Sequence, residues 1–364
     1  MLTSLSVKAA AVAAGFDLCG IAPAARHPRL ARLADWITSG RAGTMRYLAD
    51  SLEERLDPAR VLPSARSVIS LACVYNTSAP YSATQRDDRA AIARYAWGDD
   101  YHDVLRGRLR TLVRWMAETA GPGLEAFSCV DNGPIQERVF AEQAGLGWIG
   151  KNTCLINPDR GSWLFLSEIL TNAELEPDAP AADHCGTCTR CIEACPTGAI
   201  VEPYTLDATR CLSYLTIELR DAIDPALREE VGPQIFGCDL CQDVCPWNRQ
   251  AATSADPAWQ PRAALLFPRL VELCALSDDE WRLLVRGSAL RRAGLSRIRR
   301  SLACAAVRLP PAEARIALDA LAAHASARAP VVLEAIAWAR TGRARAEEAC
   351  AGPGEAGPAG GEGW

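Results

Sequence analysis

The sequence is almost without lysine. Of its 39 basic residues only Lys8 and Lys151 are lysine, so a chain that uses arginine nearly everywhere has placed a compact ammonium at two chosen positions. It also lacks an excess of positive charge. A formal net charge of -5 excludes a uniformly basic nucleic-acid binder and confines any such contact to a local patch. No run of about 18 uncharged apolar residues occurs, so no membrane-spanning helix is expected. The N-terminus, MLTSLSVKAAAVAAGFDLCG, has no basic opening followed by an apolar run and a small-residue cleavage site, and the chain is expected to be soluble, unexported and cytoplasmic.

What is present is an ordinary globular composition, 364 residues with 49% hydrophobic and 23% charged, carrying an unusual number of cysteines. There are fifteen, and eight of them lie between Cys185 and Cys245. Disulfide-stapled domains are usually short and exported, and neither holds here, so the cluster of eight reads as metal ligands.

Along the chain, helix-like and strand-like segments alternate up to about residue 175, an α/β pattern. SVKAAAVAAGF and RLARLADWITSG have helical spacing, and SVISLACVY is a β-branched run bounded by turns. HDVLRGRLRTLVRWMAETAG puts Leu105, Leu109, Leu112, Val113 and Met116 on one helical face, with Gly121-Pro122-Gly123 as the stop. PDAPAAD, at 177–183, has the composition of a linker. A cysteine-rich part follows over 176–255, then almost unbroken amphipathic helix over 256–348 whose last two helices suit a helical-repeat unit, and a Gly- and Pro-rich tail over 349–364 expected to be disordered.

Cys185-x2-Cys188-x2-Cys191-x3-Cys195-Pro196 is the two-cluster ferredoxin spacing, in which three cysteines on a tight loop serve one [4Fe–4S] cluster and the fourth serves the other. Cys238-x2-Cys241-x3-Cys245-Pro246 repeats its close, with Cys211 standing before it across an insertion of helical character. Crossed ligation then gives one cluster Cys185, Cys188, Cys191 and Cys245, and the other Cys195, Cys211, Cys238 and Cys241. Zinc also takes C-x2-C pairs, but it needs only four ligands and rarely shows a triple repeat closed by C-P.

Gly145-Leu-Gly-Trp-Ile-Gly-Lys-Asn152 matches both a dinucleotide fingerprint and, but for Asn152, a phosphate loop. Both need a strand before the glycines and a helix after them, and here the order is reversed: Gln136–Ala144 reads as helix and Thr153–Ile156 as strand. A helix C-cap and turn remain, with Lys151 unexplained. Before that helix, Val130-Asp131-Asn132-Gly133-Pro134 is a turn with Asp131 as a capping residue, or a loop that presents a carboxylic acid beside a reducing centre; the residues alone leave both open.

RYAWGDDYHDVLRGRL, VDNGPIQERVFAEQAGLGWIGKNTCLI, GSWLFLSEILT, CGTCTRCIEACPTGAIVEPYTLDATRCLSYLTIELR and GCDLCQDVCPWNR, in this order, resemble epoxyqueuosine reductases, the cobalamin- and iron–sulfur-dependent family that completes queuosine in tRNA. The resemblance runs to about residue 300 and is loose beyond 310. It implies a nitroreductase-like cobalamin-binding catalytic domain over 1–175, a ferredoxin-like domain with two [4Fe–4S] clusters over 176–255, and an all-α, HEAT-like region over 256–348 that contacts the tRNA anticodon stem-loop. It further implies that Asp131 is the catalytic acid, that Arg55, Arg94, Asp131, Lys151, Asn152 and Ser162 line the cobalamin pocket, and that the protein works as a monomer with an unidentified electron donor.

The signature of histidine-on cobalamin binding, D-x-H-x-x-G, is missing; Asp100-Tyr101-His102 comes nearest, and His102 reads as a structural histidine. Burial beside a large apolar cofactor would raise the pKa of Asp131 and keep it protonated. In the helical region Arg282, Arg286, Arg291, Arg292, Arg297, Arg299, Arg300 and Arg308 form a basic patch, of which Arg286, Arg291, Arg292 and Arg297 are the expected tRNA contacts. The rival readings are a small-molecule cobalamin-dependent reductase of the reductive-dehalogenase type, whose exported members carry a twin-arginine signal, and a ferredoxin-like electron carrier, which has no use for the first 175 residues.

Overall fold

The β-branched run SVISLACVY is the strand Ser67–Val74, buried at all eight positions because it lies inside a sheet covered on both faces. The computed structural model describes residues 2–82 and 88–350. Its main sheet has four strands in the order Leu18–Pro23, Ser67–Val74, Leu164–Thr171, Ala126–Cys129, and every neighbouring pair is antiparallel. Helix and strand are mixed as expected, and the sheet is antiparallel throughout, a feature the alternation of helix and strand left open. Hydrophobic periodicity reports which face of a segment is buried and carries no information on strand direction.

On one face the helices Ser4–Ala13 and Tyr101–Ala120 bury Val7, Ala11, Leu105, Leu109, Leu112 and Met116 against Ile69, Leu71 and Ile169. Each of those leucines, wholly removed from water, contributes about 2 kcal/mol of hydrophobic stabilisation. On the other face the helix Glu137–Gln143 packs Val139, Phe140 and Ala141 against Val68, Ala72 and Leu170. That helix ends as its sequence requires: Gly145 takes φ 75°, and a Cβ on Gly147 would lie 2.2 Å from the Ile156 carbonyl oxygen. Trp148–Ile149 then pairs with Leu155–Ile156 in a hairpin whose turn carries Lys151 and Asn152. The 177–183 segment is pinned by Asp178, which accepts from Lys8 Nζ at 2.5 Å and from the Ile21 N–H at 2.8 Å.

In the cysteine-rich part, the short helices Arg190–Glu193 and Leu240–Asp243 each lie inside one cysteine repeat and pack on each other. The insertion between Cys211 and Cys238 holds a π-helical turn, Tyr214–Glu218, a short helix, Pro225–Arg228, and a strand, Gln234–Phe236. That strand pairs in parallel with Ala91–Ile92 of the N-terminal part. The helices Leu270–Ala275, Asp278–Leu284, Gly294–Ala305, Pro311–Ala323 and Pro330–Cys350 follow, the second opened by a Ser277–Glu280 capping box.

These helices do not form a core of their own. One continuous cluster joins Leu302, Leu318 and Ile336 to Leu212, Ile235 and Phe236 and to Ile92 and Trp97. The expected boundary at 255/256 therefore crosses a single core, because the turns and strand between Cys211 and Cys238 supply one of its walls. Of the tail expected to be disordered, 351–364 lies outside the described residues and 349–350 closes the last helix.

Candidate functional site

The eight cysteines surround two cavities. One, of about 270 Å³, is lined by Cys185, Cys188, Cys191 and Cys245 together with Trp247 and Lys151. The other, of about 310 Å³, is lined by Cys195, Cys211, Cys238 and Cys241. The partition is the crossed one read from the spacing, Cys211 included. Among the described residues no three His, Cys, Asp or Glu side chains converge on a point suited to a single ion. Four thiols on the wall of each cavity suit a cluster ligated at its corners.

The second cavity extends beyond its cysteines. Tyr75, Tyr95, Leu155, Leu164 and Leu166 give it an apolar wall, and Asn152, Thr153, Ser162 and Gln242 add a few amides and hydroxyls. Ser162 is held for this: its hydroxyl donates to Gln242 Oε1 at 2.8 Å and accepts from Asn248 Nδ2 at 2.8 Å. Asn152 lines both cavities. A large, mostly apolar ring edged with amides, such as a corrin, fits such a wall, and no histidine belongs to it, in keeping with the missing D-x-H-x-x-G signature. A further thiol, Cys154, also lines this cavity, in side-chain hydrogen-bond contact with Cys241. Nothing in its spacing marks it; only the fold brings it to the others.

Four of the expected pocket residues, Arg55, Arg94, Asp131 and Lys151, are not on this wall. Arg94 is buried with its guanidinium spent on the carbonyls of Thr77, Ala79 and Pro80 at 3.0–3.1 Å and stacked over Trp97, so its neighbours Ala93 and Tyr95 line the cavity and it does not. Lys151 Nζ donates to the carbonyls of Gly186 and Cys188, at 2.6 and 3.0 Å, on the wall of the first cavity. Arg55, whose Nε donates to Ser51 Oγ at 3.0 Å, is on neither wall.

Asp131 follows the edge strand Ala126–Cys129 with φ 58°, a left-handed backbone that aspartate tolerates better than most residues. Its N–H is held by Glu137 Oε1 at 2.7 Å. Its Oδ2 accepts from the Tyr101 hydroxyl at 3.0 Å and lies 3.2 Å from His102 Nε2. Tyr101 in turn packs edge-on against Tyr95, at 5.9 Å, on the cavity wall. His102 Nδ1 lies 2.8 Å from Asp100 Oδ1, so an imidazolium there donates to a carboxylate at each nitrogen.

The chain's own groups act on Asp131 in opposite senses. Desolvation pushes the Asp131 carboxyl up, but 59% of the side chain is exposed, and the hydrogen bonds and charge of His102 with the Tyr101 hydroxyl outweigh it. The carboxyl is thus held below its ordinary range, not raised. His102 moves the other way. Desolvation opposes its charge, yet the hydrogen bonds to Asp100 and Asp131 leave its pKa raised. Burial, reinforced by the nearby Asp131 carboxylate, pushes Glu137 up to about 8. His102 and Glu137 are both shifted toward their protonated forms, and of the two it is His102 whose ring nitrogen faces the Asp131 carboxylate. His102 escaped the sequence reading because its contact with Asp131 closes only in the fold.

The basic patch divides. Arg299 and Arg300 are wholly buried: Arg299 bonds the Leu276 carbonyl and Asp278, and Arg300 bonds the carbonyls of Leu215, Leu219 and Asp221. Arg297 turns back on the carbonyls of Ala293 and Arg292. Arg291 and Arg292 both pair with Asp100, the partner of His102. Arg282, Arg286 and Arg291 rim a groove of about 460 Å³ floored by Trp281, Val285 and Leu290.

A family model described as "4Fe-4S double cluster binding domain" matches residues 184–248, and one described as "Epoxyqueuosine reductase QueG, DUF1730" matches residues 55–132. The chain is 41% identical over 333 residues to the epoxyqueuosine reductase of Xanthomonas campestris pv. campestris, covering 90% of this chain and 92% of that one. To the enzyme of Escherichia coli it is 39% identical over 338 residues, covering 92% and 88%. It is similar, with a TM-score of 0.82 and 31% identity over 97% of this chain and 94% of the other, to a crystal structure of an epoxyqueuosine reductase with an epoxyqueuosine-modified tRNA-Tyr stem loop. The structure from Streptococcus thermophilus gives a TM-score of 0.81 at 29% identity, over 92% and 88%.

Proposed function

The chain belongs to the epoxyqueuosine reductase family, and from that premise we propose how its own residues divide the work of reducing epoxyqueuosine to queuosine in tRNA. Removing the epoxide oxygen as water takes two electrons and two protons. The observation that carries the reading is the series of sites: a cavity ringed by four cysteines, a second ringed by four more and sharing Asn152 with it, and Asp131 two aromatic rings beyond.

In this reading Cys185, Cys188, Cys191 and Cys245 hold the first [4Fe–4S] cluster, and Cys195, Cys211, Cys238 and Cys241 the second. The apolar wall of Tyr75, Tyr95, Leu155, Leu164 and Leu166, with Asn152 and Ser162, holds cobalamin. Bound there, cobalamin supplies a strongly reducing, nucleophilic metal centre fed by single electrons from the clusters. Asp131 hands a proton to the departing oxygen, and His102 keeps Asp131 supplied and oriented. Tyr101 fixes the same carboxylate from the other side.

The tRNA stem-loop meets the groove rimmed by Arg282, Arg286 and Arg291, whose planar forks suit phosphates. A relative's crystal structure with a modified stem loop supports this choice of substrate. The finer architecture in this reading is nitroreductase-like, ferredoxin-like and HEAT-like in chain order, in a cytoplasmic monomer served by a separate electron donor. No described helix is long and apolar enough to cross a membrane.

Anaerobic turnover of an epoxyqueuosine-containing stem-loop, followed by nucleoside mass spectrometry, tests the assignment. With both cofactors bound, Asp131→Asn is expected to lower the rate by about 10²–10⁴-fold, the range for losing a general acid. Undiminished turnover in that variant would refute the role.

A further inference from the structure

Lys151 is one of the two lysines in the chain, and its surroundings give it a use that the cofactor pocket does not. It is 8% exposed. Its ammonium donates to two backbone carbonyls, Gly186 at 2.6 Å and Cys188 at 3.0 Å, both in the tight loop that carries the first cysteines of the repeat. It lines the cavity of Cys185, Cys188, Cys191 and Cys245 and is not on the wall of the other. Among the described residues it makes no close ion pair, and the carboxylate that feels its charge is Asp183.

A buried cation held only by carbonyls is costly unless its neighbourhood is negative, and Asp183 supplies part of that charge without pairing with it closely. Four thiolates around an iron–sulfur core are negative, and they become more so on reduction. A positive charge fixed beside the cluster stabilises the reduced state more than the oxidised one.

We propose that Lys151 is a positioning residue of the first cluster: it props the Cys185–Cys188 loop by its carbonyls and raises the cluster's reduction potential, so that the electron-entry end of the chain is easier to reduce. Trp148 braces the same loop, its indole N–H donating toward Cys185 Sγ at 3.4 Å. Both residues sit on the Trp148–Ile156 hairpin, so the catalytic part of the chain holds and tunes a cluster whose ligands come from the next part. The inference rests on the ligand sets assigned above.

The test uses the full chain, reconstituted anaerobically with iron and sulfide, with potentials read by EPR-monitored redox titration and cobalamin binding read separately by visible absorption. Cys188→Ser identifies the first cluster by the signal it removes; if all the iron and both signals survived in that variant, the ligand assignment itself would fall. In Lys151→Gln the potential of that same cluster is expected to shift negative, with the second cluster and the cobalamin titration unchanged. Both potentials staying at their original values would overturn the proposal, as would weakened cobalamin binding with both potentials held. Should Lys151→Gln fail to retain the first cluster, Lys151→Arg decides: retention with the charge restored supports the role, and loss there as well overturns it.

Discussion

His102 is the residue whose meaning changed most between sequence and structure. The groups facing it are Asp100 and the neutral Tyr101 on its own segment, Asp131 from the loop after the edge strand, and Arg292 from the helical part, with Glu137 beyond Asp131. Because its folded pKa is raised, its stabilising contribution is fully present below the ordinary histidine value, about 6.5, and fades as pH rises through the higher folded value. His102→Asn should therefore lose most thermal stability relative to the parent at about pH 5–6.5, the gap closing at alkaline pH, and should turn over the stem-loop about 10²-fold more slowly. A gap independent of pH would show that the ring is not charged in the fold. The cluster cysteines were legible because a tight ligating loop writes its spacing into consecutive positions. The surroundings of Asp131 were not, because Tyr101 and His102 stand about thirty residues away in sequence, and neither were the contacts of Lys151, because a turn residue does not declare which side it faces.

Among the elements, the helix Gly294–Ala305 shows how a basic run can mislead. Its composition reads as a phosphate-binding face, yet Arg299 and Arg300 point inward and satisfy carbonyls at the ends of neighbouring segments. Arginine is suited to this, since one guanidinium can close several carbonyls that helix and turn ends leave open. Arg299→Met should leave the Leu276 carbonyl without its donor and cost about 1–3 kcal/mol in chemical denaturation, with little change in the salt dependence of stem-loop binding. Arg286→Ala, in the exposed groove, should leave stability within about 0.5 kcal/mol and reduce the slope of log affinity against log salt by about 1. The reverse pattern would exchange their roles. Helices and the central strand were readable from periodicity and burial; strand direction was not, nor was the pairing of Ala91–Ile92 with Gln234–Phe236, which depends on chain closure over more than a hundred residues.

At the scale of the whole molecule, the two cavities are built from segments distant in sequence: Asn152 and Ile156 meet Cys185 and Cys245 in one, and Tyr75, Leu164 and Ala199 meet Cys211 and Cys238 in the other. Removing iron therefore takes away more than local support. Chelation under reducing conditions should lower the midpoint of thermal unfolding in a signal from the buried tryptophans of the sheet, such as Trp163, as well as in iron absorbance. If the sheet melted at an unchanged temperature, the parts would be energetically independent.

The core that runs through Ile92, Phe236 and Leu302 also sets a timetable. A ribosome that has just released residue 255 has delivered all eight cluster ligands, yet the apolar faces of Trp97 and Ile235 still await partners as late as Ala339. Domains that fold as they emerge bury their surface early, whereas this chain must stay partly open until its last helices arrive. Oxygen-labile clusters loaded into such a nascent chain would sit in an unfinished wall, so the order of events that protects them is translation first and metal afterwards.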